Sequence, residues 1–140
     1  MADDVLINKA ATIERCVARA REEYAADPEG FAHNFSHQDA AILNIQRACE
    51  AALDMGLHII RRERLGVTQS ARDTFTLLAQ AHWLTPAVAE QMKRMVGFRN
   101  VAVHDYQSLQ LPITLNILTL HLDDFLVFSR QMLLHDDGGF

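Results

Sequence analysis

Apolar residues recur at the spacing of an α-helix along the whole chain, and they do not alternate with polar residues as in a half-buried β-strand. All three prolines lie between the helical stretches, where a helix begins or ends. With 49% apolar and 22% charged residues, the composition excludes a disordered chain and a small disulfide scaffold. The 140 residues are enough for one sizeable core. We therefore predict a single all-α domain over residues 1–140, a bundle of about five helices.

Local start and stop signals place the boundaries of these helices. Ser36 and Asp39 have the spacing of a capping box, with Asp in place of Glu, and Gly66 follows the helix that they would open. Thr85 before Pro86 is a strong start signal, because proline is favoured at the first helical position. The predicted helices run from about Asp4 to Ala26, from Ser36 to about Leu65, from Ser70 through Trp83, from Thr85 to about Asn100, and from Pro112 to just before Asp136.

The last predicted helix is apolar on nearly every side. Its apolar residues are Leu111, Ile113, Leu115, Ile117, Leu118, Leu120, Leu122, Phe125, Leu126 and Phe128. Such a helix needs more than one neighbour, so it is either the central helix of the bundle or carries a spare face for a second copy of the chain. The apolar stretch from Leu111 to Leu122 contains polar residues and ends at two aspartates. We expect it to be too short and too polar to span a membrane.

Charge is distributed unevenly along the chain. The formal net charge is -5, which argues against a general nucleic-acid coat protein. Residues 61–99 nevertheless hold seven Lys or Arg against three Asp or Glu. The basic residues of this window are Arg61, Arg62, Arg64, Arg72, Lys93, Arg94 and Arg99. A local basic face suits an anionic ligand bound at one place, and a solvated helix surface with salt bridges is the alternative.

Neither the cysteines nor the histidines form a pattern that requires a disulfide or a metal. Cys16 and Cys49 lie among apolar neighbours, as reduced core residues of a cytoplasmic protein do, although one disulfide between them stays open. His33 and His37 have the spacing of two ligands on one helix face, but a cap at Ser36 would leave His33 in the preceding loop. We expect surface or capping histidines, with no metal and no cofactor. The acidic start of the chain is unlike a targeting peptide.

The residues with catalytic potential crowd into one stretch, residues 99–106, at the end of the fourth predicted helix. Arg99 can bind a phosphate through its planar guanidinium, and His104 is of the side-chain type that moves protons near neutral pH. Together they suffice to cleave RNA without a metal. Histidine exchanges protons with the ribose hydroxyl and the leaving oxygen, while arginine neutralises the phosphorane. From the residues alone, a helix-end cluster of ion pairs and hydrogen bonds without chemistry is the alternative.

The spacing of these two residues is awkward for one continuous helix. Five residues of straight helix turn through about 500°, which leaves Arg99 and His104 about 140° apart around the axis. Either the helix ends near Val103 and lets His104 swing round, or the working pair comes from two chains.

The same stretch, Arg99-Asn100-Val101-Ala102-Val103-His104-Asp105-Tyr106, resembles the Arg-x4-His-x-Tyr motif of the HepT-type HEPN toxins. The resemblance extends over most of the chain and includes the segments 38–46, 50–52 and 93–98. It implies an α-helical bundle that dimerises, so that the motifs of two chains meet in one basic cleft.

The resemblance also implies a function. Toxins of this type are metal-independent ribonucleases, encoded beside a minimal nucleotidyltransferase antitoxin that transfers AMP to the motif tyrosine. Carried onto this sequence, Arg99 and His104 would be catalytic, Asn100 would assist the arginine, and Tyr106 would receive AMP. We therefore predict a cytoplasmic endoribonuclease toxin of a type VII-like toxin–antitoxin pair, acting on RNA as a homodimer without a membrane. The alternative is a non-catalytic HEPN module that binds a nucleotide or holds a nucleotidyltransferase.

Overall fold

The computed structural model describes residues 3–138, and within that range every regular element is helical. The α-helices are α1 (Asp4–Ala25), α2 (Phe35–Glu63), α3 (Ala71–Gln80), α4 (Pro86–His104), α5 (Leu111–Asn116) and α6 (Leu122–Asp136). Short 3₁₀ turns cover Phe31–His33 and Tyr106–Ser108, and a π-helical stretch, Ile117–His121, joins α5 to α6. The predicted all-α bundle is confirmed. The last predicted helix is present as α5, the π-helical stretch and α6 in succession.

The start signals of α3 and α4 act as the sequence predicts. Ser70 and Asp73 form a capping box at the start of α3. The Thr85 side chain accepts a hydrogen bond from the Val88 N–H at the start of α4, with proline at the first helical position. Both helices therefore begin where local side-chain chemistry satisfies their first free N–H groups.

The start of α2 differs from the prediction. Asn34 is the cap, because its side-chain oxygen accepts a 3.0 Å hydrogen bond from the His37 N–H. Ser36 lies inside the first turn, so its assignment as the cap was wrong. Asparagine caps helices as well as serine does, and it stands two residues earlier in the chain. Asp39 is consequently left inside α2 with no capping role.

Helices α1 and α2 form an antiparallel pair along most of their length. Lys9, early in α1, is 3.1 Å from Asp54, late in α2, whereas Glu23 near the end of α1 is 2.6 Å from His37 at the start of α2. Cys16 is buried in α1 and both cysteines are free. Burial raises the pKa of the Cys49 thiol in α2 to about 12. The prediction of two reduced core cysteines is confirmed.

The segment from α5 to α6 is buried on one side and exposed on the other. Leu122, Phe125, Phe128 and Met132 are fully buried or nearly so, and they pack into the common core. By contrast, Leu120 is 70% exposed and Ile113 is 51% exposed. The helical run 111–136 is long and apolar enough to cross a membrane by length and composition, which the sequence analysis did not expect. One such helix is weak evidence for a membrane span, because a core helix of a water-soluble protein passes the same test. Within the described residues, α6 packs against α1, α2 and α4.

Ion pairs at one end of the bundle join three segments. Asp3, the cap of α1, lies 2.7 Å from His58 Nε2 and accepts a 2.8 Å hydrogen bond from Arg62 Nη1, both on α2. Arg62 Nη2 also donates to Asp136 of α6 at 2.8 Å. Burial by itself would raise the pKa of the Asp3 carboxyl, but the bonds with His58 and Arg62 outweigh it and lower the pKa to about 2.

We expect Asp3→Asn to reduce the free energy of unfolding at neutral pH by about 1 kcal/mol, because asparagine keeps the cap but removes the charge. The folded pKa of Asp3 lies below its ordinary value of 3.8, so this contribution is present above that value and is lost as the pH falls toward 2. Urea unfolding across this pH range measures the effect. The stability difference between the wild type and the variant should shrink at acidic pH, and a constant difference would contradict the assignment.

Candidate active site

The C-terminal half of α4 lies along α2 from its middle to its start, and the two helices run in opposite directions. Arg99 of α4 is paired with Glu50 of α2, whereas Tyr106, just after α4, is hydrogen-bonded to Asp39 nearer the start of α2. This packing brings two residues of the sequence motif against one helix.

Arg99 is held from two sides. Its Nε is buried and lies 3.7 Å from Glu50 Oε1, which makes an ion pair without a hydrogen bond. Its Nη1 donates to Asn100 Oδ1 at 3.1 Å. The side chain is 27% exposed and lines a cavity of about 410 Å³. The other residues lining this cavity are Glu50, Leu53, Asp54, Leu57, Thr68, Gln69, Ser70, Ala71 and Thr74.

His104 is the last residue of α4 and its side chain is exposed. The helix is unbroken up to this point, and the next residue still continues its hydrogen-bond pattern, since the Asp105 N–H donates to the Val101 carbonyl at 2.8 Å. The helix thus ends one residue beyond Val103, as one alternative expected, but His104 still follows the helical path and does not swing round toward Arg99. Arg99 and His104 of one chain keep the helical separation of about 140°, with the arginine toward α2 and the histidine in solvent.

Tyr106 opens the 3₁₀ turn after α4 and is 43% exposed. Its hydroxyl donates a hydrogen bond to Asp39 Oδ1. Burial is the largest cause that raises the pKa of the Tyr106 phenol to about 12, and the hydrogen bond and the negative charge of Asp39 act in the same direction. A cavity of about 310 Å³ adjoins the pair. Tyr106 is thus fixed against α2 while its ring stays accessible.

Two acidic residues of α2 contact the motif, and neither was predicted to belong to the site. Glu50 meets Arg99 and Asp39 meets Tyr106. They are eleven residues apart, which returns the helix to within about 20° of the same face. Two carboxylates on one face of α2 were the available signal, but only the packing of α4 shows what they contact.

The basic residues of the window 61–99 do not all lie at the site. The side chain of Arg72 on α3 lies across α4 at Gly97. It is so close that a Cβ on residue 97 would be only 3.0 Å from its Nη2. Arg62 lies about 18 Å along α2 from Glu50 and is engaged with Asp3 and Asp136. The predicted local basic face is therefore only partly formed within one chain.

The histidine pair considered for a metal does not share a site. His37 Nδ1 is 2.6 Å from Glu23 Oε2, which places it in the contact between α1 and α2. His33 is exposed in the preceding 3₁₀ turn. Among residues 3–138, no group of three or more His, Cys, Asp or Glu side chains is arranged to hold a metal ion.

Comparison with known proteins assigns this arrangement to a family. Residues 13–132 match the family described as ribonuclease HepT-like. The mRNA nuclease HepT of Shewanella oneidensis is 49% identical over 123 residues, which cover 88% of this chain and 92% of that protein. The tRNA nuclease HepT of Aphanizomenon flos-aquae is 26% identical over 88 residues, which cover 63% of this chain and 60% of that protein.

Solved structures give the same result for the fold. A toxin–antitoxin structure with AMP-PNP matches with a TM-score of 0.89 and 46% identity, covering 93% of this chain and 98% of the matched chain. A tri-AMPylated Shewanella oneidensis HEPN toxin in complex with its MNT antitoxin also matches, with a TM-score of 0.89, 46% identity and coverage of 94% and 98%. The predicted family, the HEPN-like fold and the ribonuclease function of a toxin–antitoxin pair are confirmed. The chain belongs to the ribonuclease HepT-like family of HEPN toxins.

Proposed function

We propose that this chain is a metal-independent endoribonuclease toxin whose active site is built from Arg99, Asn100 and His104. The observation that carries the proposal is the arrangement of the motif at the end of α4. Arg99 is oriented by Glu50 and Asn100 beside an open cavity, and His104 stands exposed at the helix terminus. The names of the two nuclease relatives support RNA as the substrate.

The reaction follows from the chemistry of these side chains. The ribose 2′-oxygen attacks the neighbouring phosphorus, and the bond from phosphorus to the 5′-oxygen breaks, which leaves a 2′,3′-cyclic phosphate and a 5′-hydroxyl. His104 takes the proton from the 2′-hydroxyl or supplies one to the leaving 5′-oxygen. Arg99 binds the phosphate oxygens through its guanidinium and stabilises the charge that builds up in the transition state. Asn100 assists by accepting the Arg99 Nη1–H bond, which limits the rotation of the guanidinium.

We propose that two chains complete each site. Within one chain the continuous helix keeps His104 away from the side on which Arg99 lies, so a second copy must bring the missing partner. The exposed apolar residues Val103, Ile113 and Leu120, on α4, α5 and the π-helical stretch, supply surface for such a contact. A symmetric homodimer would also place two motifs in one cleft and bring together basic residues that one chain keeps apart.

We further propose that the protein acts as one domain in the cytoplasm, without a membrane, and that a nucleotidyltransferase antitoxin neutralises it by adding AMP to Tyr106. The AMPylated toxin in the matched complex supports this regulation. The phenol is accessible, two residues beyond His104. An added AMP would fill the RNA path and repel the RNA backbone through its charge. The Asp39 contact places it about 16 Å along α2 from the Glu50–Arg99 pair, so it would not contact Arg99 of the same chain.

We expect the purified protein to cleave RNA in EDTA and to leave 2′,3′-cyclic phosphate ends, because the nucleophile is the neighbouring 2′-hydroxyl. Arg99→Ala and His104→Ala should each reduce the cleavage rate roughly 10²–10⁴-fold, as expected for charge-stabilising and acid–base groups. Gel analysis of a messenger RNA and a transfer RNA, with mass spectrometry of the ends, measures both effects.

The matched controls are Arg130→Ala and His33→Ala, which remove the same residue types at exposed positions outside the motif. Both should cleave at the wild-type rate. Cleavage that stops in EDTA and returns with magnesium would contradict the metal-free mechanism. A wild-type protein that cleaves no RNA but binds a nucleotide would favour the non-catalytic module instead.

Glu50→Gln should lower kcat by at most about fivefold with little change in KM, because a partly exposed ion pair without a hydrogen bond orients Arg99 only weakly. Glu90→Gln, which removes an exposed carboxylate that pairs with Lys93 on α4, is the matched control. Steady-state kinetics on a defined RNA distinguishes the cases. A loss as large as that of Arg99→Ala would show that Glu50 takes part in the chemistry.

A further inference from the structure

We propose that Asp39 accepts the phenolic proton of Tyr106 when AMP is transferred to that oxygen, so that the toxin supplies the base for its own modification. This inference rests on the proposed function, in which Tyr106 is the residue that receives AMP. It assigns a role to a contact between α2 and the segment after α4 that RNA cleavage does not use.

The contact is specific to these two side chains. The Tyr106 hydroxyl donates to Asp39 Oδ1 across 67 residues of sequence. Asp39 has no cation within ion-pair distance among residues 3–138, and it does not cap α2, because Asn34 does. Its carboxylate is therefore free to receive a proton from the phenol, and it already lies in hydrogen-bond contact with the oxygen that would react.

No other base lines the cavity beside the pair. The cavity beside the pair is lined, apart from Asp39 and Tyr106, by the uncharged residues Phe35, Gln38, Ile42, Gln107, Leu109, Leu111 and Thr114. Of the nearby titratable groups, Asp105 accepts a 2.5 Å hydrogen bond from the Ser108 hydroxyl, and His37 is engaged with Glu23. His104, two residues before Tyr106, is exposed at the end of α4.

A base is needed because the phenol keeps its proton at neutral pH. The pKa of Tyr106 is raised to about 12, mainly by burial, so the phenolate is scarce. A neutral phenol is a weak nucleophile and must lose its proton as the new bond forms. An aspartate that accepts the proton of a substrate hydroxyl has the same task in the catalytic loop of protein kinases.

The transfer can be written as one balanced step. The Tyr106 oxygen bonds to the α-phosphorus of a nucleoside triphosphate, and the bond from that phosphorus to the oxygen bridging to the β-phosphate breaks. Pyrophosphate leaves with the electron pair, and the phenolic proton passes to Asp39. The resulting carboxylic acid then returns the proton to water. The modified tyrosine can no longer donate to Asp39, so the contact is lost with the reaction.

The test is AMP transfer to the full-length toxin by purified nucleotidyltransferase antitoxin with magnesium and ATP, followed by intact mass spectrometry. Asp39→Asn keeps the shape and a hydrogen-bond acceptor but cannot serve as the base. We expect it to lower kcat about 10²-fold with little change in the KM for the toxin. Its remaining rate should rise about tenfold per pH unit, since only the phenolate then reacts. Asp39→Glu keeps a carboxylate and should recover part of the rate.

Asp123→Asn is the matched control, because it removes an exposed aspartate that pairs with Arg21 and makes no hydrogen bond with Tyr106. It should be modified as the wild type is. Modification of Asp39→Asn at the wild-type rate and with the wild-type pH profile would overturn the inference, as would faster modification. In either case, AMP found on Tyr106 of the wild-type protein would still support the proposed function. Modification of the Tyr106→Phe variant would contradict both the inference and the proposed function, because the AMP would then be bound to another residue.

Discussion

The unbroken course of α4 determines what a single chain can do. The helix keeps its hydrogen bonds from Pro86 to His104, so the angle between Arg99 and His104 is set by helical geometry and cannot be closed by bending. Arg99 consequently lies against α2, and His104 ends in solvent. A ribonuclease that needs both groups at one phosphate then has to obtain one of them from a second chain. Dimerisation is, in this account, a condition of catalysis and not only of stability.

Helix α2 provides the opposing surface for both ends of the motif. Glu50 pairs with Arg99, the proposed phosphate-binding residue, and Asp39 accepts a hydrogen bond from Tyr106, the proposed acceptor of AMP. These carboxylates lie on one face of α2, about 16 Å apart along its axis. Under the proposed function, an AMP on Tyr106 would lie beside the path along which RNA reaches Arg99, because both contacts lie on one face of α2. The exposed apolar residues Ile113 and Leu120 mark the adjoining surface that one chain leaves uncovered.

Local signals predicted the helices well, because caps and prolines act within a few residues. The start of α4 at Pro86 is an example, since Thr85 satisfies the first free N–H groups wherever the rest of the chain lies. The cap of α2 was missed because Asn34 and Ser36 compete for one role two residues apart. The partners Glu50 and Asp39 could not be assigned from the sequence, since contacts between helices depend on how α2 and α4 pack. The motif itself, from Arg99 to Tyr106, was visible because all its members lie within eight residues.

The most direct test of the shared site is to refold Arg99→Ala and His104→Ala chains together and to measure RNA cleavage. If each site takes its arginine from one chain and its histidine from the other, every mixed dimer contains one intact site and one site that lacks both groups. Random assortment should then restore about one quarter of the wild-type activity, although each variant alone is inactive. A mixture as inactive as its components, with mixed dimers shown to be present by mass spectrometry, would place both groups in one chain and contradict the account.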